Sequence, residues 1–118
     1  MNKLILMVVF SSLIGVAYAG DGRPLNKMER QAVIKSVKEQ LKDPGSAQFK
    51  LGKFVTPESG YYCGMVNSKN SYGGYVGFSP FQGFIFKNKK GGYSAYMMGL
   101  DSPEVSAQMC AEKGYKLY

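Results

Sequence analysis

The apolar residues of this chain change period twice, and that change limits the fold more than any motif does. Ala32, Val33, Val37 and Leu41 recur at helical spacing, with Met28 before them and Ile34 alongside. From Phe49 to Met98 the spacing becomes two, the period of half-buried strands. A second helical stretch opens after Ser102. The sequence therefore predicts an α+β domain: an N-terminal helix, a four-stranded antiparallel meander and a C-terminal helix.

Local signals set the boundaries. Residues 20–25 lack periodicity and read as a flexible start. Asn26 and Glu29 have the spacing of a capping box at the head of the first helix. Pro44 cannot continue that helix, so Asp43 is expected to cap a fresh helical turn through Gln48, throwing Phe49 inward. The strands are expected at 49–55, 61–66, 75–86 and 93–98, the third interrupted by a bulge or bend at Pro80. Its many aromatic residues suit a small core. Lys87, Lys89 and Lys90 surround a hairpin connection at 88–92, where charge blunts the sheet. Ser102 and Pro103 start the last helix, with Val105, Met109 and Ala111 as its apolar stripe and Gly114 as its end.

The first residues suggest a compartment. Lys3 precedes an apolar run over 4–17, and Ala17-Tyr18-Ala19 is a small-x-small cleavage site. The expectation is a signal peptide over 1–19 and a single α+β domain over 20–118, periplasmic or secreted, with no transmembrane segment in the mature chain. No Cys follows the cleavage site, so a lipid anchor is not expected. In such a compartment Cys63 and Cys110 read as a disulfide pinning the C-terminal helix to the second strand. Closing so long a loop is worth ~4 kcal/mol in the chain-entropy model. Their spacing is not the Cys-x-x-Cys of a redox pair.

Composition narrows the chemistry. With His 0, the chain lacks the commonest general base and metal ligand, which excludes Ser-His and Cys-His nucleophile pairs. Glu58, Asp101, Glu104 and Glu112 form no acid–base constellation in the sequence, and no phosphate-cradling glycine loop or metal motif is present. Ser71 has only Lys69 as a nearby base in sequence. No enzyme, cofactor or metal is expected. The net charge of +7, of which the leader holds only Lys3, suits an anionic partner. Nucleic acid is not the expected one, because export separates the chain from it.

Two motifs carry a resemblance. Lys42-Asp43-Pro44-Gly45-Ser46-Ala47-Gln48-Phe49 is followed by Cys63-Gly64-Met65-Val66-Asn67-Ser68-Lys69-Asn70-Ser71-Tyr72-Gly73-Gly74-Tyr75-Val76-Gly77-Phe78. Together they resemble a family of small exported bacterial proteins, periplasmic or lipoprotein-like. The resemblance covers residues 41–81. It implies an exported bacterial domain and supplies no catalytic activity.

Within the second motif, Asn67, Lys69, Asn70, Ser71, Tyr72, Gly73 and Gly74 crowd amides, a hydroxyl, a phenol and a cation into one polar loop. The functional reading is a binding site. The chain would be a non-enzymatic periplasmic protein, of inhibitor or immunity type, plugging a cleft of an envelope protein. An alternative is a peptidoglycan or anionic-glycan binding module, suggested by the positive charge and the aromatic segment. The plainer reading is a structural loop whose Asn side chains bond their own backbone.

Overall fold

The computed structural model describes residues 22–117. The expected leader at 1–19 lies outside the described residues, as do Gly20 and Asp21. Helix α1 (Lys27–Lys38) is followed by a short 3-10 turn (Pro44–Ser46), strands β1 (Gln48–Lys50), β2 (Tyr61–Asn67), β3 (Ser79–Lys87) and β4 (Tyr93–Met98), then helix α2 (Pro103–Glu112). The strands form one antiparallel sheet in the order β1-β2-β3-β4, the α+β meander expected from the period changes.

Alternation along the strands assigns each helix a face. Gly83 pairs with both Tyr62 and Met97, and Phe81 shares their side. On this side α1 buries Val33 and Val37 completely, and Phe81, Tyr62 and Met97 are sealed with them. The sheet is tight here: a Cβ at Gly64 would sit 2.7 Å from the Phe81 ring and 2.9 Å from Leu51. Cys63 pairs with Gln82 and faces the other way, and its disulfide to Cys110 holds α2 on that second face. Both half-cystines are buried. A buried disulfide suits an oxidising, extracellular environment. No helix among the described residues is long and apolar enough to cross a membrane.

Helix α1 also closes an edge. The Met97 N–H donates to Ser36 Oγ (2.9 Å) and the Met97 carbonyl accepts from Gln40 Nε2 (2.7 Å). Two side chains thereby stand where a fifth strand would pair, shielding β4 from association through its backbone.

The capping box forms as expected: Asn26 Oδ1 accepts from the Glu29 N–H (2.8 Å) and Glu29 Oε1 accepts from the Asn26 N–H (2.9 Å). The Glu29 carboxylate, 2% exposed, also takes both guanidinium nitrogens of Arg23 at 2.8 Å. Arg23 exchanges two backbone bonds with Phe54 and stacks its guanidinium over that ring. The flexible start expected at 20–25 is thus held from Arg23 onward, by an ion pair and a bridge that a reading of local periodicity does not contain.

Four other expectations are corrected. The first strand ends at Lys50 rather than residue 55, because the next backbone groups are satisfied elsewhere: Gly52 O by the Tyr62 hydroxyl (2.9 Å) and Phe54 by Arg23. The turn after Pro44 ends at Ser46 and Asp43 makes no side-chain cap, although Phe49 does pack against Phe81 as expected. Residues 75–78 are not strand: Gly77 has φ +97°, and its N–H goes to Asn67 Oδ1.

Pro80, conversely, interrupts nothing and pairs with Met65 inside β3. The Ile85 N–H points to β2, donating to Gly60 O (2.8 Å), so alternation aims the Pro80 nitrogen away from β2. On that other side β4 pairs only from Gln82 onward, so no ladder bond is lost.

The stripe expected on α2 is also corrected. Val105 and Met109 are exposed, as is Ala111, while Ser106 and Cys110 are buried. The disulfide fixes the rotation of the helix, and the Ser106 hydroxyl donates to Gly99 O (2.9 Å). Gly114, with φ +90°, ends the helix as expected and turns the chain so that Tyr115 is buried. The Tyr115 hydroxyl donates to Tyr61 O (2.7 Å) and accepts from the Val55 N–H (3.1 Å).

Replacing Cys63 and Cys110 together by Ser should lower the unfolding free energy by about 2–4 kcal/mol in urea titrations. The α2 amides should then lose hydrogen-exchange protection before those of β2. A second expectation concerns acid. The bond from Arg23 holds the Glu29 carboxyl below its ordinary range against the opposing effect of burial, and the Asn26 N–H helps. A lowered carboxyl pKa stabilises the fold above the unfolded value, about 4.3, and that contribution disappears as pH falls through the lower folded value. Glu29→Gln should be less stable than the parent at neutral pH by about 1–2 kcal/mol. The gap between their denaturation midpoints should close as pH drops below 4, roughly the glutamate reference range.

Candidate functional site

The loop after β2 is a hairpin extension. Lys69 and Tyr75 form an antiparallel bridge, and Asn70 N–H donates to Gly74 O (2.9 Å). Asn70 Oδ1 accepts from the N–H groups of Tyr72 (2.9 Å) and Gly74 (3.1 Å), while Gly73 N–H returns to Asn70 O (3.0 Å). Gly73 stands at φ +84°, a conformation that favours glycine.

The β3–β4 connection repeats this arrangement. Asn88 Oδ1 accepts from Lys90 and Gly92 (both 3.0 Å), Asn88 N–H donates to Gly92 O (2.9 Å), and Gly91 has φ +85°. The sequences are Asn70-Ser71-Tyr72-Gly73-Gly74 and Asn88-Lys89-Lys90-Gly91-Gly92. This five-residue repeat is visible in the sequence but is too short to mark a repeated domain. It separates the roles of the candidate residues. Asn70, Gly73 and Gly74 build a turn that the chain also uses as a plain hairpin, whereas Ser71 and Tyr72 are the pair that differs.

The remaining candidates support the loop. Asn67 ends β2; its Oδ1 accepts from Gly77 (3.0 Å) and its Nδ2 reaches Gln48 (3.4 Å). Lys69 does not face Ser71. Its ammonium lies over the Tyr75 ring, 5.6 Å from the centroid, and its N–H donates to Ser46 Oγ (2.9 Å). The Tyr75 hydroxyl donates to Ser46 O (3.0 Å), and Lys42 Nζ, not Lys69, reaches Ser71 Oγ (3.3 Å). Lys42 and Ser46 of the first motif are therefore the platform on which the loop rests, which joins the two motifs in space. Above this platform Tyr72 is 95% exposed.

A groove of about 690 Å³ opens between residues 50–55 and the tail at 114–117. Leu51, Val55, Met65 and Leu117 line it, with Lys50, Lys53 and Lys116 as its cations. Among the described residues no carboxylate lines it, and the Tyr115 hydroxyl there is already bonded. Its lining brings no acid–base pair together. Nor do the described residues gather three or more metal-ligating side chains.

Asn70→Ala removes the acceptor of two backbone bonds and should lower loop stability by about 1 kcal/mol. Tyr72→Ala removes only exposed surface and should leave the melting temperature unchanged. Thermal unfolding of the two variants beside the parent checks both. Comparisons with family models, curated proteins and solved structures found no match to the chain.

Proposed function

We propose that the chain is a non-enzymatic periplasmic or secreted binding protein that engages an envelope protein, in the manner of an inhibitor or immunity protein, through the 67–74 loop. Tyr72 is the group that enters the partner. The observation that carries this reading is a tyrosine exposed over 95% of its surface on a turn held by four bonds to Asn70 and Gly74. Tyrosine is enriched among residues that dominate interface energetics. A turn ordered before binding loses little further entropy on association. The buried disulfide supports an exported setting.

A second reading, a peptidoglycan or anionic-glycan module, is favoured by a different observation: Lys50, Lys53 and Lys116 around a groove lined by no carboxylate among the described residues. Affinity capture from envelope extract with the oxidised chain and its Tyr72→Ala variant separates the two. A protein retained by the parent and lost by the variant, at equal melting temperature, is the expected result. Equal retention by both contradicts the role of Tyr72. Salt-sensitive pelleting with peptidoglycan and no retained protein transfers the function to the lysine groove.

A further inference from the structure

The face of the sheet opposite α1 is only partly covered. Phe84 pairs with both Tyr61 and Tyr96, and Phe86 and Met98 share its side. Tyr96 remains 64% exposed and Phe86 50%, with Phe84 and Met98 also open. Helix α2 crosses one end of this face, tied to β2 by the disulfide and touching Gln82 through Met109 (3.3 Å). Its own apolar residues Val105 and Met109 are exposed, Met109 beside Gln82, the strand partner of Met98. Five large apolar side chains, Phe84, Phe86, Tyr96, Met98 and Met109, thus lie along one surface, more than isolated exposure accounts for.

Charge is distributed along this strip in a particular order. At the Phe86 end stands the hairpin tip with Lys89 and Lys90, while Lys87 alternates to the α1 side with Ile85. At the Met98 end stand Asp101, in the turn after β4, and Glu104, in the first turn of α2. Strand β4, which separates them, spans about 17 Å at ~3.3 Å per residue. Between the ends, Lys113 lies over the Tyr61 ring (6.0 Å) with Glu112 beside it, a pair of opposite charges that offset each other. A strip with a net basic end and a net acidic end is complementary to itself when turned through a two-fold axis. An anionic lipid surface matches only one end and repels the other.

We infer that the exposed Phe84–Tyr96 face is an isologous dimerisation surface for a second copy of this chain, with the lysine hairpin of each copy set against Asp101 and Glu104 of the other. The paired apolar strips exclude water at the centre, and the charged ends fix the antiparallel orientation. The strip lies apart from the Tyr72 loop, so the association stands or falls independently of the binding reading above.

Sedimentation equilibrium of the chain purified from an exporting host, disulfide intact, over a concentration series reaching the millimolar range, tests this. The parent is expected to self-associate as a dimer, less tightly at high salt. Tyr96→Asp should be monomeric, with a melting temperature equal to the parent's at concentrations low enough for the parent to be monomeric. Lys89→Glu with Lys90→Glu should weaken the dimer at least roughly tenfold at low salt, as like charges then meet. Adding Asp101→Lys and Glu104→Lys to that chain should restore it. A parent that stays monomeric overturns the proposal, and if it sediments with phosphatidylglycerol vesicles the face belongs to lipid. A Tyr96→Asp dimer as tight as the parent's, or a charge reversal that does not restore association, overturns it equally.

Discussion

The bond between Cys63 and Cys110 does for α2 what apolar burial does for α1. Helix α1 docks through Val33 and Val37, both fully enclosed by Tyr62, Phe81 and Met97. Helix α2 presents only Ser106 and Cys110 to the interior. Without the covalent bond it would rest on a hydroxyl contact to Gly99, a weak contact from Gln82 to Met109 and the anchoring of Tyr115. The disulfide therefore sets the rotation of α2, the position of the tail that walls the groove, and the exposure of Val105 and Met109. A small domain has little core to share among its elements, and cross-linking removes part of the entropy that burial would otherwise have to offset.

Around this staple the polar groups are closely accounted for. Among the described residues every buried side-chain nitrogen and oxygen has a partner. The Tyr61 hydroxyl donates to Gln82 Oε1 (2.6 Å), Tyr62 serves Gly52, and Thr56 Oγ1 and Tyr115 both serve the Tyr61 carbonyl. Burial raises the Tyr61 and Tyr62 phenols above their usual range, which keeps both as neutral donors. These bonds explain how residues 51–56 follow the sheet without joining it. Satisfied one by one, their backbone groups need no ladder.

Much of the architecture was legible in the sequence because it follows from period and local chemistry. The capping box at Asn26 and Glu29, the four strands, the disulfide and the glycine end of α2 all rest on neighbours in sequence or on a cysteine pair. What was not legible depends on partners far along the chain. Pro80 is tolerated because β4 stops short of it, a fact of register. Arg23 is ordered by Phe54 and Glu29. The buried side of α2 follows the cysteine rather than the larger apolar residues. In the candidate loop the composition located the segment, but side-chain roles needed geometry. Lys69 is spent on Tyr75, Asn67 and Asn70 on backbone, and Ser71 meets Lys42 across an interval that sequence proximity does not suggest.

The functional account rests on the Asn70 turn being ordered before any partner arrives. The contacts from Lys42 and Ser46, the Lys69–Tyr75 bridge and the Asn70 bonds all act to that end, leaving the Tyr72 side chain exposed. Backbone ¹⁵N relaxation of the unbound protein tests this most directly. The account predicts order parameters at Asn70, Tyr72 and Gly74 close to those of β2 and β3, about 0.85. Values below about 0.6 at these three amides, with the strands rigid, would contradict it.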